Sequence, residues 1–161
     1  MNKSFESLVK SPSTETESIT ILDRNHNESR FGILGHFFKW EEQAPNQVFL
    51  RQPQGDAWKE YTWSTAGEEA RIITARLQEI HVAPGSRIGI WSANCAEWII
   101  CDLALMMGGY VSVPLYANVN GENLKSILLH AECSWLFIGK LLQKDWDNVH
   151  SFIPASVHLV T

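Results

Sequence analysis

The hydrophobic positions of this chain change period several times, and each change marks an element. Residues 1 to about 30 are rich in Ser, Thr, Glu and Asn without a sustained period. That predicts a flexible polar tail, with one short strand at Ser18–Leu22. From Phe31 the pattern turns helical: Ile33, Leu34, Phe37, Phe38 and Trp40 fall at helical spacings, and the run ends before Pro45. Val48–Arg51 and Glu60–Trp63 read as two short strands. Gln54-Gly55-Asp56 between them supplies a turn, so a hairpin is expected.

A longer helix follows. Thr65 and Glu68 have capping-box spacing, and Ala66, Ala70, Ile73, Leu77 and Ile80 then share one face until Val82-Ala-Pro84-Gly85 ends the run. Arg87–Ser92 reads as a strand. Asn94 is expected to cap a helix from about Ala96 to Met107, with Glu97 favourably placed in its first turn. This helix is apolar nearly all round, which predicts burial between layers. Gly108-Gly109 then turns the chain into a strand, Tyr110–Leu115, apolar on both faces as in a covered parallel sheet. Glu122 to Ala131 reads as a helix with Leu124, Ile127, Leu128 and Ala131 on one stripe. Trp135–Ile138 is a strand, Lys140–Phe152 a helix and Val157–Val160 a final strand. Beyond residue 64 helices and strands alternate. The predicted class is therefore α/β: a mostly parallel sheet flanked by helices through right-handed crossovers, plus the short antiparallel hairpin.

Composition adds limits. With 161 residues, 45% of them hydrophobic, seven Trp and seven Phe, the chain is one domain in size and has apolar area enough for a core without staples. A net charge of −5 and the lack of any Lys/Arg cluster argue against a nucleic-acid surface. Cys95, Cys101 and Cys133 are odd in number and show no metal-ligand spacing, so they read as free buried thiols in a reducing cytoplasm. The opening residues lack the basic-then-apolar order of a signal peptide, which leaves Asn2-Lys-Ser4 and Asn27-Glu-Ser29 as chance matches to the glycosylation pattern. Trp98 to Leu115 is apolar apart from Asp102 and Ser112, but Gly108-Gly109 divides it. Two buried elements explain the run better than one membrane span, and peripheral membrane contact stays open.

Few residues offer chemistry. Gly85-Ser-Arg-Ile-Gly89 precedes a strand, and Gly108-Gly109 leads from helix into strand; phosphate loops instead follow a strand and open a helix. Of the six histidines, His26, His36, His81, His130, His150 and His158, none pairs with another His or a Cys at metal-ligand spacing. His36 is expected on a helix surface, and His81 and His130 near helix ends. Ser92 and Ser112 lack a nucleophile-elbow context. Asp102, an acid in an apolar helix, reads as a hydrogen-bonded or partly exposed carboxylate, with an acid–base role as the alternative. Trp98 reads as core packing, with a place in a ligand cavity as its alternative.

Taken together, five pieces resemble the amino-terminal part of AMP-forming acyl-CoA synthetases, and long-chain fatty-acid–CoA ligases most of all. They are Tyr61-Thr62-Trp63, the capped helix ending in Leu77, Pro84-Gly85-Ser-Arg-Ile-Gly-Ile90, Ser92-Ala-Asn94-Cys-Ala-Glu97-Trp98, and Gly109-Tyr-Val-Ser-Val-Pro114-Leu115-Tyr116. Ala117-Asn118 and Phe137-Ile-Gly139-Lys140 are similar to further stretches of that subgroup. The resemblance covers about Phe31 to Thr161 and implies that 31–161 is an amino-terminal fragment of an AMP-binding domain. It implies ATP-dependent fatty-acid activation in a complete parent using ATP, Mg²⁺ and CoA. The family's Ser/Thr-Gly-rich phosphate loop, its later acidic motifs and its carboxy-terminal lysine find no counterpart here. No catalytic, cofactor-binding or metal-ligating residue is therefore assigned, and the chain alone is expected to be inactive. A non-enzymatic interaction or regulatory module, bound to the remainder of an adenylation domain or to a partner protein, is the alternative reading. A free-standing nucleotide binder is the third, disfavoured by the missing strand-to-helix glycine loop.

Overall fold

The computed structural model describes residues 32–161. The predicted tail, its Ser18–Leu22 strand, His26 and both glycosylation-like triplets lie outside them. Helix α1 (Gly32–Gln43) ends two residues before Pro45 and buries Leu34 and Phe37. Strands β1 (Val48–Gln54) and β2 (Ala57–Thr62) pair antiparallel around the expected Gly55 turn. Both run longer inward than the hydrophobic pattern alone implied, because the ladder continues to the pair Gln54–Ala57.

Helix α2 (Trp63–Glu79) starts earlier than expected. Its cap is Thr62: the Thr65 amide bonds the Thr62 hydroxyl, and the Thr65 hydroxyl in turn accepts from the Thr62 amide. Thr65 is thus the third helical residue of a capping box rather than its first member, and Glu68 has no part in the box. A threonine hydroxyl closes it as well as a glutamate does. Ala66, Ala70, Ile73 and Leu77 are buried as predicted, whereas Ile80 caps the helix end and is exposed.

Strand β3 (Arg87–Trp91), helix α3 (Ala96–Met107), strand β4 (Val111–Leu115), helix α4 (Gly121–His130), strand β5 (Trp135–Ile138), helix α5 (Gln143–Val149) and strand β6 (His158–Val160) complete the alternation. The expected helix over Lys140–Phe152 is shorter. Its first residues stay extended, and His150–Phe152 tightens into a 3₁₀ turn. The four-stranded sheet is wholly parallel, in the order β4-β3-β5-β6.

Two cores cover it. Ile88, Ile90, Phe137 and Val160 pack toward α1, α2 and α3. Trp91, Leu115 and Leu136 pack toward α4 and α5 with Leu124, Leu128 and Val149. Seven of the twelve α3 residues are buried, so this apolar helix does lie between α2 and the sheet. Strand β4 departs from expectation. It is an edge strand, and only Leu115 within it is buried. The corner before β4 needs its glycine, since Gly109 has φ +70° and its carbonyl accepts from the Gly85 amide.

Candidate functional site

The crossovers leave β3 and β5 toward opposite faces. From β3 the chain passes to α3 on one side, and from β5 to α5 on the other. Such a switch point opens a crevice beyond the carboxyl ends of the strands. Here it holds a cavity of about 490 Å³. Ile90, Phe137 and Val160 form its floor from three strands, Trp98 and Cys101 line it from α3, and Gln52–Gln54 close it from the hairpin. Polar residues at the cavity are Gln52 and Gln54 of the hairpin together with Ser92, Glu97, Lys140 and Thr161.

Ser92 ties the two strand ends together. Its hydroxyl donates to the Ala93 carbonyl at 2.8 Å and accepts from the Lys140 amide at 2.9 Å, while the Ala93 amide bonds the Lys140 carbonyl. A Cβ on residue 139 would stand 2.5 Å from the Ser92 hydroxyl, so only glycine allows this approach. Ser92 is thereby a structural clip rather than a nucleophile with a base beside it.

The expected cap of α3 is overturned. Asn94 is exposed, and the cap position falls on Cys95, whose side chain makes no cap bond. Instead Gln52, a buried residue of β1, accepts from the Ala96 amide at 2.9 Å. Its distance of 44 residues along the chain hid it from any local reading. Glu97 does lie in the first turn, and it accepts a 2.6 Å bond from the Tyr61 hydroxyl of β2. Burial alone would raise the Glu97 carboxyl. Hydrogen bonds from Tyr61, its own backbone amide and Cys95, with Lys59 nearby, bring it below the usual carboxylate range. Burial and the Glu97 carboxylate together push the Tyr61 hydroxyl up. Glu69, on α2, faces the same group. Burial raises its carboxyl against the opposing charge of Lys59, and one of its oxygens is buried without a hydrogen-bond partner.

Trp98 lines the cavity, as the alternative reading of that residue had it. Asp102 is partly exposed on α3. Cys101 and Cys133 are buried free thiols raised chiefly by burial, and Cys95 is a half-buried free thiol. Ser112 is a half-buried residue of β4 with an unpartnered hydroxyl. His36, His81, His130, His150 and His158 are all exposed and dispersed, and none lines the cavity.

The residues present do not suit a nucleoside triphosphate with its metal. The β3–α3 loop contains no glycine, the Ala96 amide at the start of α3 is already taken, and the Glu97 carboxylate is held by Tyr61. Among the described residues, no three His, Cys, Asp or Glu side chains gather in a way that could hold a metal ion. No helix there is long and apolar enough to cross a membrane.

The fold and crevice define a doubly wound α/β unit with its binding end at the strand carboxyl termini. The chain belongs to the AMP-binding enzyme family, whose profile matches residues 37–159. It is 40% identical to long chain acyl-CoA synthetase 2 of Arabidopsis thaliana over 102 residues, which are 60% of this chain and 15% of that protein. Over 105 residues it is 30% identical to the long-chain-fatty-acid–CoA ligase FadD15 of Mycobacterium bovis, covering 65% of this chain and 18% of that one. The chain thus spans less than a fifth of the length of either relative. Among solved structures, its fold matches the N-terminal subdomain of Klebsiella oxytoca NpsA, solved with 3-hydroxybenzoyl-AMSN. That match has a TM-score of 0.65 and 23% identity and covers 80% of this chain and 29% of that one.

Proposed function

We propose that this chain forms the amino-terminal segment of a long-chain fatty-acid–CoA ligase. In the complete enzyme a fatty-acid carboxylate attacks ATP, forming an acyl-adenylate and releasing pyrophosphate. The CoA thiol then attacks the acyl carbon and displaces AMP. ATP, Mg²⁺ and CoA are cofactors of that complete enzyme, and its setting is cytoplasmic or peripheral at a membrane. The observation that carries the reading is the 40% identity to a long chain acyl-CoA synthetase, on a chain whose family match runs over residues 37–159. The role of this segment is to supply scaffold: a parallel sheet, its covering helices and the crevice end of the strands.

The 161 residues alone do not activate fatty acids. The support for this is the mismatch between the cavity and a bound triphosphate. Two measurements test the reading. The isolated chain gives only background ATP–pyrophosphate exchange with palmitate. A chimera carrying residues 37–159 in place of the matching FadD15 segment restores fatty-acid-dependent exchange. A folded chimera without exchange would overturn the ligase assignment, and exchange by the isolated chain would overturn the scaffold role.

The second reading, an interaction module, has support of its own. Val111 and Tyr116 leave apolar surface exposed at the β4 edge, Tyr116 being 86% exposed. Capture of a full-length ligase by the isolated chain favours this reading, and an inert monomer in light scattering counts against it.

A further inference from the structure

Asn120-Gly121 is the one Asn-Gly pair in the sequence. Asparagine before glycine is chemically labile, because no Cβ shields the glycine nitrogen from the neighbouring carboxamide. The fold imposes this pair. Asn120 is the N-cap of α4, and its side-chain oxygen accepts from the Asn123 amide at 2.8 Å. Gly121, the first residue of α4, is buried, and a Cβ on it would overlap the Phe152 ring. A bulkier residue that would slow the attack is therefore shut out.

The Asn120 side chain is exposed to water, yet ring closure is blocked in the folded chain. Asn120 has ψ 160°, and its carbonyl accepts from the Leu124 amide at 2.9 Å. Bringing the Gly121 nitrogen to the side-chain carbon means rotating about ψ. That rotation breaks the Asn123 and Leu124 bonds and draws Gly121 out from beside Phe152.

We propose that Asn120-Gly121 is a deamidation site gated by opening of the first turn of α4. In the open turn the Gly121 amide gives up its proton to water, and its nitrogen bonds the Asn120 side-chain carbonyl carbon. The carbon–nitrogen bond of the carboxamide breaks and ammonia leaves. Water then opens the cyclic imide at either carbonyl, giving aspartate or isoaspartate with no change of oxidation state. The two products act oppositely. Aspartate keeps a cap acceptor and adds a negative charge where the helix N-terminus favours one. Isoaspartate lengthens the backbone by one carbon at the cap, which loosens the turn that seats Leu124 in the second core. None of this depends on the ligase reading.

Peptide mapping by mass spectrometry on the full chain, aged in mildly alkaline buffer, tests the gate. In urea, Asn120 converts before every other asparagine. In the folded chain it converts more slowly by about tenfold or more. Phe152→Ala frees Gly121 and raises the folded rate about tenfold, whereas Thr74→Val, which weakens the opposite face, leaves it near the parent's. Circular dichroism confirms folding, and Phe152→Leu, with a smaller rise, stands in where the alanine variant does not fold. Asn120→Asp keeps the parent's melting temperature, and the isoaspartate fraction separated by chromatography melts lower. Equal rates in the folded and urea-unfolded chain, conversion led by Asn94 or Asn118, or equal acceleration by Phe152→Ala and Thr74→Val would each overturn the proposal.

Discussion

On one face of the sheet, α1, α2, α3 and the hairpin are joined by polar bonds between residues far apart in sequence. Glu41 pairs with Arg71 through two hydrogen bonds, and Thr74 donates to the Ala104 carbonyl at 2.8 Å. Gln52 caps α3, and Tyr61 holds Glu97. On the other face, the polar bonds of α4 and α5 are mostly local. Asn120 caps α4 through the Asn123 amide, Gln143 bonds Asp147, and His150 bonds the Trp146 carbonyl. The first face packs helix on helix on sheet, and buried polar atoms between such layers must find partners there. The second face is one layer of short helices with water close by, so local bonds suffice.

The largest expected contrast is between two arginines. Arg71 and Glu41 have side chains only 19% and 13% exposed, so Arg71→Ala strands a half-enclosed carboxylate and costs about 3 kcal/mol. Arg87→Ala breaks an exposed pair with Glu132 and changes stability by no more than about 0.5 kcal/mol. Urea unfolding measures both, and equal costs would break the comparison. Next in size, Thr74→Val keeps the buried shape but removes the hydroxyl shared between the Ala70 and Ala104 carbonyls, at about 1 kcal/mol.

The caps sharpen the distinction further. Gln52→Ala and Asn120→Ala each cost about 1 kcal/mol. Asn94→Ala stays within about 0.5 kcal/mol, because its side chain caps nothing. Amide exchange at Ala96 speeds up in Gln52→Ala and not in Asn94→Ala.

The smallest effect is in the pH profile. The Glu69 carboxyl is raised in the fold, so the native state holds its proton more firmly than the unfolded chain does. Its contribution is full below the ordinary carboxylate pKa and is lost as pH rises through the raised one. Glu97, lowered in the fold, has the opposite slope: its contribution is lost as pH falls. Glu69→Gln removes the first slope, and the variant gains stability over the parent at neutral pH but not in acid. Thermal melts across pH 4 to 8 read this out. An unchanged profile would mean that Glu69 stays solvated.

Much of the architecture was legible in the sequence because it rests on local periodicity. The apolar ring of Ala96–Met107 announced a helix between layers, and the alternation past residue 64 announced a parallel sheet. The stripe Ala66, Ala70, Ile73 and Leu77 faces the core as expected. Errors collected where a feature depends on a distant partner. Asn94 looks like a cap in one dimension, yet Gln52 occupies that place from another strand. Tyr110–Leu115 looks buried on both sides, yet the strand order puts it at an edge. Trp98 is an ordinary core residue until three strand ends and a hairpin form a cavity against it.

The sequence by itself determined the elements, their order and the apolar faces, since these follow from side-chain spacing along one helix or strand. It also carried the family resemblance that the profile match supports. Only the tertiary structure decided which strand lies outermost, which residue caps α3, and that Ser92, Gly139 and Lys140 meet at one rim. Each of these depends on a contact across more than 40 residues or on strand order, and neither is written in local spacing.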